Sequence, residues 1–93
     1  MTIEGIIYKI FDVEQKTDRF KVRNFVLKTE DRYSPFISFQ LTNKNTEVFE
    51  EDGIALGDEV EVSFDVGGKE YEARDGSGTK YFNVLTAWKI LIK

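Results

Sequence analysis

Glu59-Val60-Glu61-Val62-Ser63-Phe64-Asp65-Val66 alternates apolar and polar residues without a break. Period-two alternation is the signature of a strand with one buried face, so Val60, Val62, Phe64 and Val66 are expected inward. Gly67-Gly68 bends or extends this strand, and Lys69 to Glu72 leads into a turn at Arg74-Asp75-Gly76-Ser77-Gly78. Tyr81 to Ile92 returns as the last strand.

Upstream, residues 3–13 read as a first strand whose Gly5 and doubled Ile6-Ile7 suggest a bulge or a strong bend. Residues 14–19 form a polar loop. Phe20 to Glu30 is the second strand, with a phase slip near Asn24-Phe25 that suggests another bulge. Pro35 restricts Ser34 to extended backbone and places the third strand at Phe36 to Thr42, with Ile37, Phe39 and Leu41 on one face. Asn43 to Asp52 is the one helix candidate, capped by Asn45 or Thr46, anchored by Val48-Phe49 and ended by Gly53.

Five strands with a short helix between the third and fourth predict an all-β, five-stranded OB-fold Greek-key barrel in one domain, residues 1–93. An SH3-like barrel and a split-sheet sandwich are the alternatives.

Composition narrows the function. With no Cys and no His, the chain has no disulfide, no thiol nucleophile, no imidazole base and no nitrogen or sulfur metal ligand set. Glu50-Glu51-Asp52 points in diverging directions at a helix end and makes a poor metal cage. The glycine pairs lie in hairpin positions rather than between a strand and a helix, so no phosphate loop is expected. No cofactor and no catalysis follow from this reading. No apolar run approaches a membrane span, and Met1-Thr2-Ile3-Glu4-Gly5 lacks a basic leader, so the expected compartment is the cytoplasm.

The net charge is −4, yet it is unevenly spread. Residues 47–65 hold eight of the 17 acids and no base, while the remaining segments hold all 13 bases and nine acids. Eight Phe, four Tyr and one Trp exceed what so small a core needs. Cations and flat rings on one sheet face describe a binder of single-stranded nucleic acid.

A resemblance supports this reading. Gly57-Asp58-Glu59-Val60-Glu61-Val62-Ser63-Phe64, the Asp75-Gly76-Ser77-Gly78 tip and the return through Tyr81 resemble the hairpin of bacterial single-stranded DNA-binding proteins. The whole chain is similar to a small bacterial OB-like domain family of unknown function, domain of unknown function 3127. The matching stretches are Arg23-Asn24-Phe25-Val26-Leu27-Lys28-Thr29-Glu30-Asp31-Arg32-Tyr33 and Ala87-Trp88-Lys89-Ile90. The likeness extends to primosomal replication protein barrels. An acidic partner-recruiting tail, typical of single-stranded DNA-binding proteins, is not expected after Lys93.

An OB barrel binds on the face of its second and third strands between two flanking loops. That rule selects Lys21, Arg23, Phe36, Ser38 and Gln40 on the face. Lys16, Arg19, Lys69, Tyr71, Arg74, Lys80 and Tyr81 come from the flanking loops, and Arg32 and Tyr33 close the loop between. Phe36 belongs either to this face or to the core, and Tyr71 and Tyr81 either to the site or to a stabilising cross-strand pair. Phe11, Phe20, Phe25, Phe39, Phe49, Phe64 and Trp88 are expected in the core. The implied partner is single-stranded DNA, or RNA, bound without sequence preference in replication, recombination or repair. A homo-oligomer, dimer or tetramer, is expected to form through the edge of the first strand and Ile6. The rival function is a protein-interaction module whose acidic 47–65 surface docks a basic partner.

Overall fold

The computed structural model describes residues 1–93. Its elements are β1 (Thr2–Ile10), β2 (Glu14–Thr17), β3 (Phe20–Lys28), β4 (Phe36–Thr42), a 3₁₀ turn (Asn43–Glu47), α1 (Val48–Glu51), β5 (Glu59–Glu72) and β6 (Thr79–Ile92). The pairing runs β1-β5-β6-β4-β3-β2, and β1 also pairs with β3. Five strands therefore close a ring, with β2 attached outside β3. The expected Greek-key barrel is present, with six strands instead of five. The polar loop of residues 14–19 folds back on β3, pairing Glu14 with Val22 and Gln15 with Lys21.

One strand serves both halves of the barrel. β1 pairs with β5 over Thr2–Ile6 and with β3 over Ile6–Ile10. The exchange requires Gly5: a Cβ there would lie 2.7 Å from the Lys28 carbonyl and 2.8 Å from Leu27 Cγ. The expected irregularity in this strand falls at Tyr8, where the register shifts between Ile7 and Lys9. β1 ends at Ile10, three residues short of the sequence estimate.

The core gathers Ile7, Phe25, Leu27, Phe39, Leu41, Val60, Val62, Ala87 and Ile90 inside the ring. Phe49 and Ile54 close its lower end. Phe25 stacks on Phe39 at 5.3 Å and meets the edge of Phe49 at the same separation. Thr46 is buried and its hydroxyl donates to the Asn43 carbonyl, so the helical segment is pinned without a side-chain N-cap. Gly53, at φ 67°, turns the chain out of it.

The core assignments differ from expectation where strands leave the barrel. Val60 and Val62 are buried and Phe64 is half-buried, but Val66 is 49% exposed. The register shifts between Ser63 and Phe64, with Trp88 as the extra residue in β6, and beyond it β5 and β6 continue as a two-stranded arm to Glu72 and Thr79. Gly67-Gly68 thus extends the strand, and Lys69–Glu72 completes it before the turn. Phe11, Phe20 and Trp88 are likewise exposed rather than core. Phe11 lies beyond the end of β1, Phe20 at the outer rim of β3, and Trp88 at the shift in β6.

Candidate nucleic-acid interface

β3 and β4 pair without interruption from Val22↔Thr42 to Lys28↔Phe36. No bulge occurs at Asn24-Phe25. Directly paired residues share a face, so Arg23 and Leu41, Phe25 and Phe39, and Leu27 and Ile37 point inward. Val22, Asn24, Val26 and Lys28 point outward beside Thr42, Gln40, Ser38 and Phe36. The apparent slip arises because Val22 is buried on the outer face while Arg23 turns inward at the barrel end.

This parity corrects two site residues. Arg23 lies over the Phe49 ring at 5.3 Å and donates to the carbonyls of Phe11 (2.8 Å) and Thr46 (3.1 Å). It also forks onto Glu50 at 2.7 and 3.0 Å. The guanidinium, only 13% exposed, ties α1 to the barrel. Its hydrogen bonds hold the Glu50 carboxyl below the usual carboxylate range. Lys21 pairs with Glu47 at 3.4 Å. Neither side chain lies on the outer face. Arg19 sits with Lys21 and Lys44 in a separate shallow pocket that also holds Asp18 and Glu47.

The outer face carries a groove of about 460 Å³ between β2 and the arm. Lys16 and Phe20 form one wall and Lys69 and Val84 the other, over a floor of Val22, Gln40 and Thr86. Gly67 and Gly68 leave the arm side open to approach. No carboxylate lines it. Lys16 does have an ion-pair partner, Glu14, at 3.6 Å, but both side chains are more than half exposed.

Alternation along the arm continues the groove. Lys69 pairs with Phe82 and Tyr71 with Lys80, so all four share the face of Val84. Tyr71 and Phe82 meet edge to face at 5.7 Å. Tyr81 pairs with Glu70 on the opposite face, which separates it from Tyr71. Of the two readings left open for them, the Tyr71–Tyr81 cross-strand pair does not form. Arg74 lies at the exposed tip.

A second cluster lies at the far end of the same face. Tyr8 and Phe36 meet at 4.9 Å, each 53% exposed, and the Lys28 ammonium stands 5.8 and 5.9 Å from their rings. Arg32 packs over Tyr33 at 5.7 Å in the adjoining loop. Phe36, left open between face and core, is therefore on the face. The four residue steps from Phe36 to Gln40 separate the two clusters by about 13 Å.

Lys16, Gln40, Lys69, Tyr71 and Lys80 thus meet at the groove, and Arg32, Tyr33 and Phe36 at the loop end. Tyr8, Phe20, Lys28 and Phe82 join them without having been expected. Lys28 and Phe20 could have been found from the strict parity of a straight β3. Tyr8 could not, because it sits in the bulge.

Fold and groove together define an OB-type barrel. The chain belongs to the family described as Domain of unknown function (DUF3127), matched over residues 2–91. No curated protein matches it. Among solved structures it is similar to the mitochondrial single-stranded DNA binding protein Rim1 of S. cerevisiae, with TM-score 0.70 and 20% identity over 99% of this chain and 91% of that one. It is also similar to the Plasmodium falciparum SSB in complex with ssDNA, with TM-score 0.65 and 14% identity over 100% and 92%. At these identities the likeness establishes the fold. No helix is long and apolar enough to cross a membrane.

Proposed function

We propose that residues 1–93 form one domain that binds single-stranded DNA largely without sequence preference and performs no catalysis. The observation that carries this reading is the groove itself. In a chain with net charge −4, its walls hold two lysines, a phenylalanine and no carboxylate. Lys80, Lys28 and Arg32 extend the cationic path, and Phe20, Tyr71, Phe82, Tyr8 and Phe36 supply ring faces along it. Stacking contributes about 1–3 kcal/mol per base and accepts any base, while cations displace counterions from phosphates. The fold neighbours named for single-stranded DNA binding support the same reading.

A role in replication, recombination or repair in the cytoplasm, RNA as a further ligand, and assembly into a dimer or tetramer belong to this proposal. Exposed Ile6 on β1 is the candidate contact for assembly. The rival interaction module loses part of its basis. Glu47 and Glu50 are engaged by Lys21 and Arg23, and Asp58 accepts from the Ala55 amide, so the acidic segment is not one free surface.

Titration of labelled oligo-dT tests the proposal. Binding is expected at about 50 mM salt, with tyrosine quenching and a log–log salt slope near −3.5 for about five phosphate contacts. No binding at that salt refutes it.

A further inference from the structure

β4 and β6, the one parallel pair in the ring, are bridged only at Gln40↔Thr86. Toward Ser38 and Val84 the two strands diverge, and a pocket of about 210 Å³ opens in the seam. Val84 and Leu85 give it apolar walls, and Asn24, Ser38, Gln40 and Asn83 give it polar ones. None of these four side chains hydrogen-bonds to another protein group, whereas Asn43, Gln15 and Thr46 all do so elsewhere. Gln40 and Val84 also line the main groove, so pocket and groove are continuous.

We infer that this seam pocket receives one nucleobase edge-on and gives the strand a single base-selective position, favouring adenine. The inference rests on the single-stranded DNA reading. Its volume is below the roughly 300 Å³ of sites for drug-sized ligands, which suits one base. Asn24 and Gln40 are directly paired across β3 and β4, which puts their Cβ atoms about 5 Å apart. Each amide presents a donor beside an acceptor, the arrangement that pairs bidentately with the N6 and N7 edge of adenine. The pocket lacks the Arg or Lys that reads guanine and the Asp or Glu that accepts from cytosine N4. Val84 and Leu85, both half-buried, offer a two-ring purine more apolar contact than a pyrimidine. Base edges are accessible for such contacts in an unpaired strand.

The test compares plain oligo-dT with oligo-dT bearing one central adenine, guanine, cytosine or abasic site. One adenine is expected to tighten binding about tenfold, the low end for a bidentate contact, with no gain from the other three. Asn24→Ala is expected to remove the adenine gain while keeping wild-type affinity for plain oligo-dT, and Gln40→Ala, whose side chain also floors the main groove, to remove the gain while weakening plain oligo-dT as well. Asn83→Ala, on another strand, gives an independent loss of the same gain, and thermal melting of each variant is expected to match wild type. Oligo-dT binding without base preference, or a preference unchanged in all three variants, overturns the pocket and leaves the groove standing. Absence of binding to any oligonucleotide overturns both.

Discussion

Replacing Arg23 with Ala separates a binding residue from a structural one. In a nucleic-acid site, its loss weakens affinity and spares the fold. The geometry demands the opposite. The Glu50 carboxylate is 63% exposed, so that ion pair contributes less than about 1 kcal/mol. The two carbonyl acceptors, on Phe11 and on the buried turn at Thr46, lose a charged donor, which costs about 1 kcal/mol each after partial rehydration. Loss of the guanidinium over Phe49 removes roughly another 0.5–1 kcal/mol. The total is about 3 kcal/mol. At about 4–8 °C per kcal/mol for a chain of this size, the melting temperature falls by roughly 12–24 °C. Thermal melting by circular dichroism reads the first effect. Oligo-dT anisotropy, measured well below the variant's melting point, reads the second and is expected to stay within about twofold of wild type. A shift of only a few degrees accompanied by a tenfold loss of affinity would refute the inward placement of Arg23.

Three further outcomes follow from the same geometry. Lys16→Glu combined with Lys69→Glu is expected to reduce the log–log salt slope by about 1.4, from two lost single-strand phosphate contacts, with melting nearly unchanged; an unaltered slope removes the groove from the binding path. Gly5→Ala is expected to cost about 1–3 kcal/mol in urea unfolding, since the new methyl meets backbone oxygen rather than a flexible side-chain end. Hydrogen bonding to Arg23 lowers the Glu50 pKa, so the pair's stabilisation is present above the usual carboxylate range and disappears as pH falls through the lowered value; the urea midpoint of Arg23→Ala is therefore expected to decline less between neutral and acidic pH than that of wild type.

Local pattern carried most of the fold. Pro35 and the Ile37-Phe39-Leu41 alternation place β4 at its observed limits, Phe36–Thr42. Glu59–Val62 announces β5, and Phe49 is recognisable as the plug of the helical segment. These features depend on neighbours one to four residues apart, which a sequence displays directly. The cations were harder to assign, because a Lys or Arg reads as surface in any local window. Whether it serves a groove or a joint depends on which face of the strand it occupies.

What the amino-acid order settles is the alternation, the turns, the absence of His and Cys chemistry and the excess of rings. The fate of Lys21 and Arg23 was settled by long-range pairing, as was the meeting of Tyr8, Lys28 and Phe36. Strand register carries a side chain to the inside or the outside in steps of one residue, and that register is fixed by partners tens of positions away.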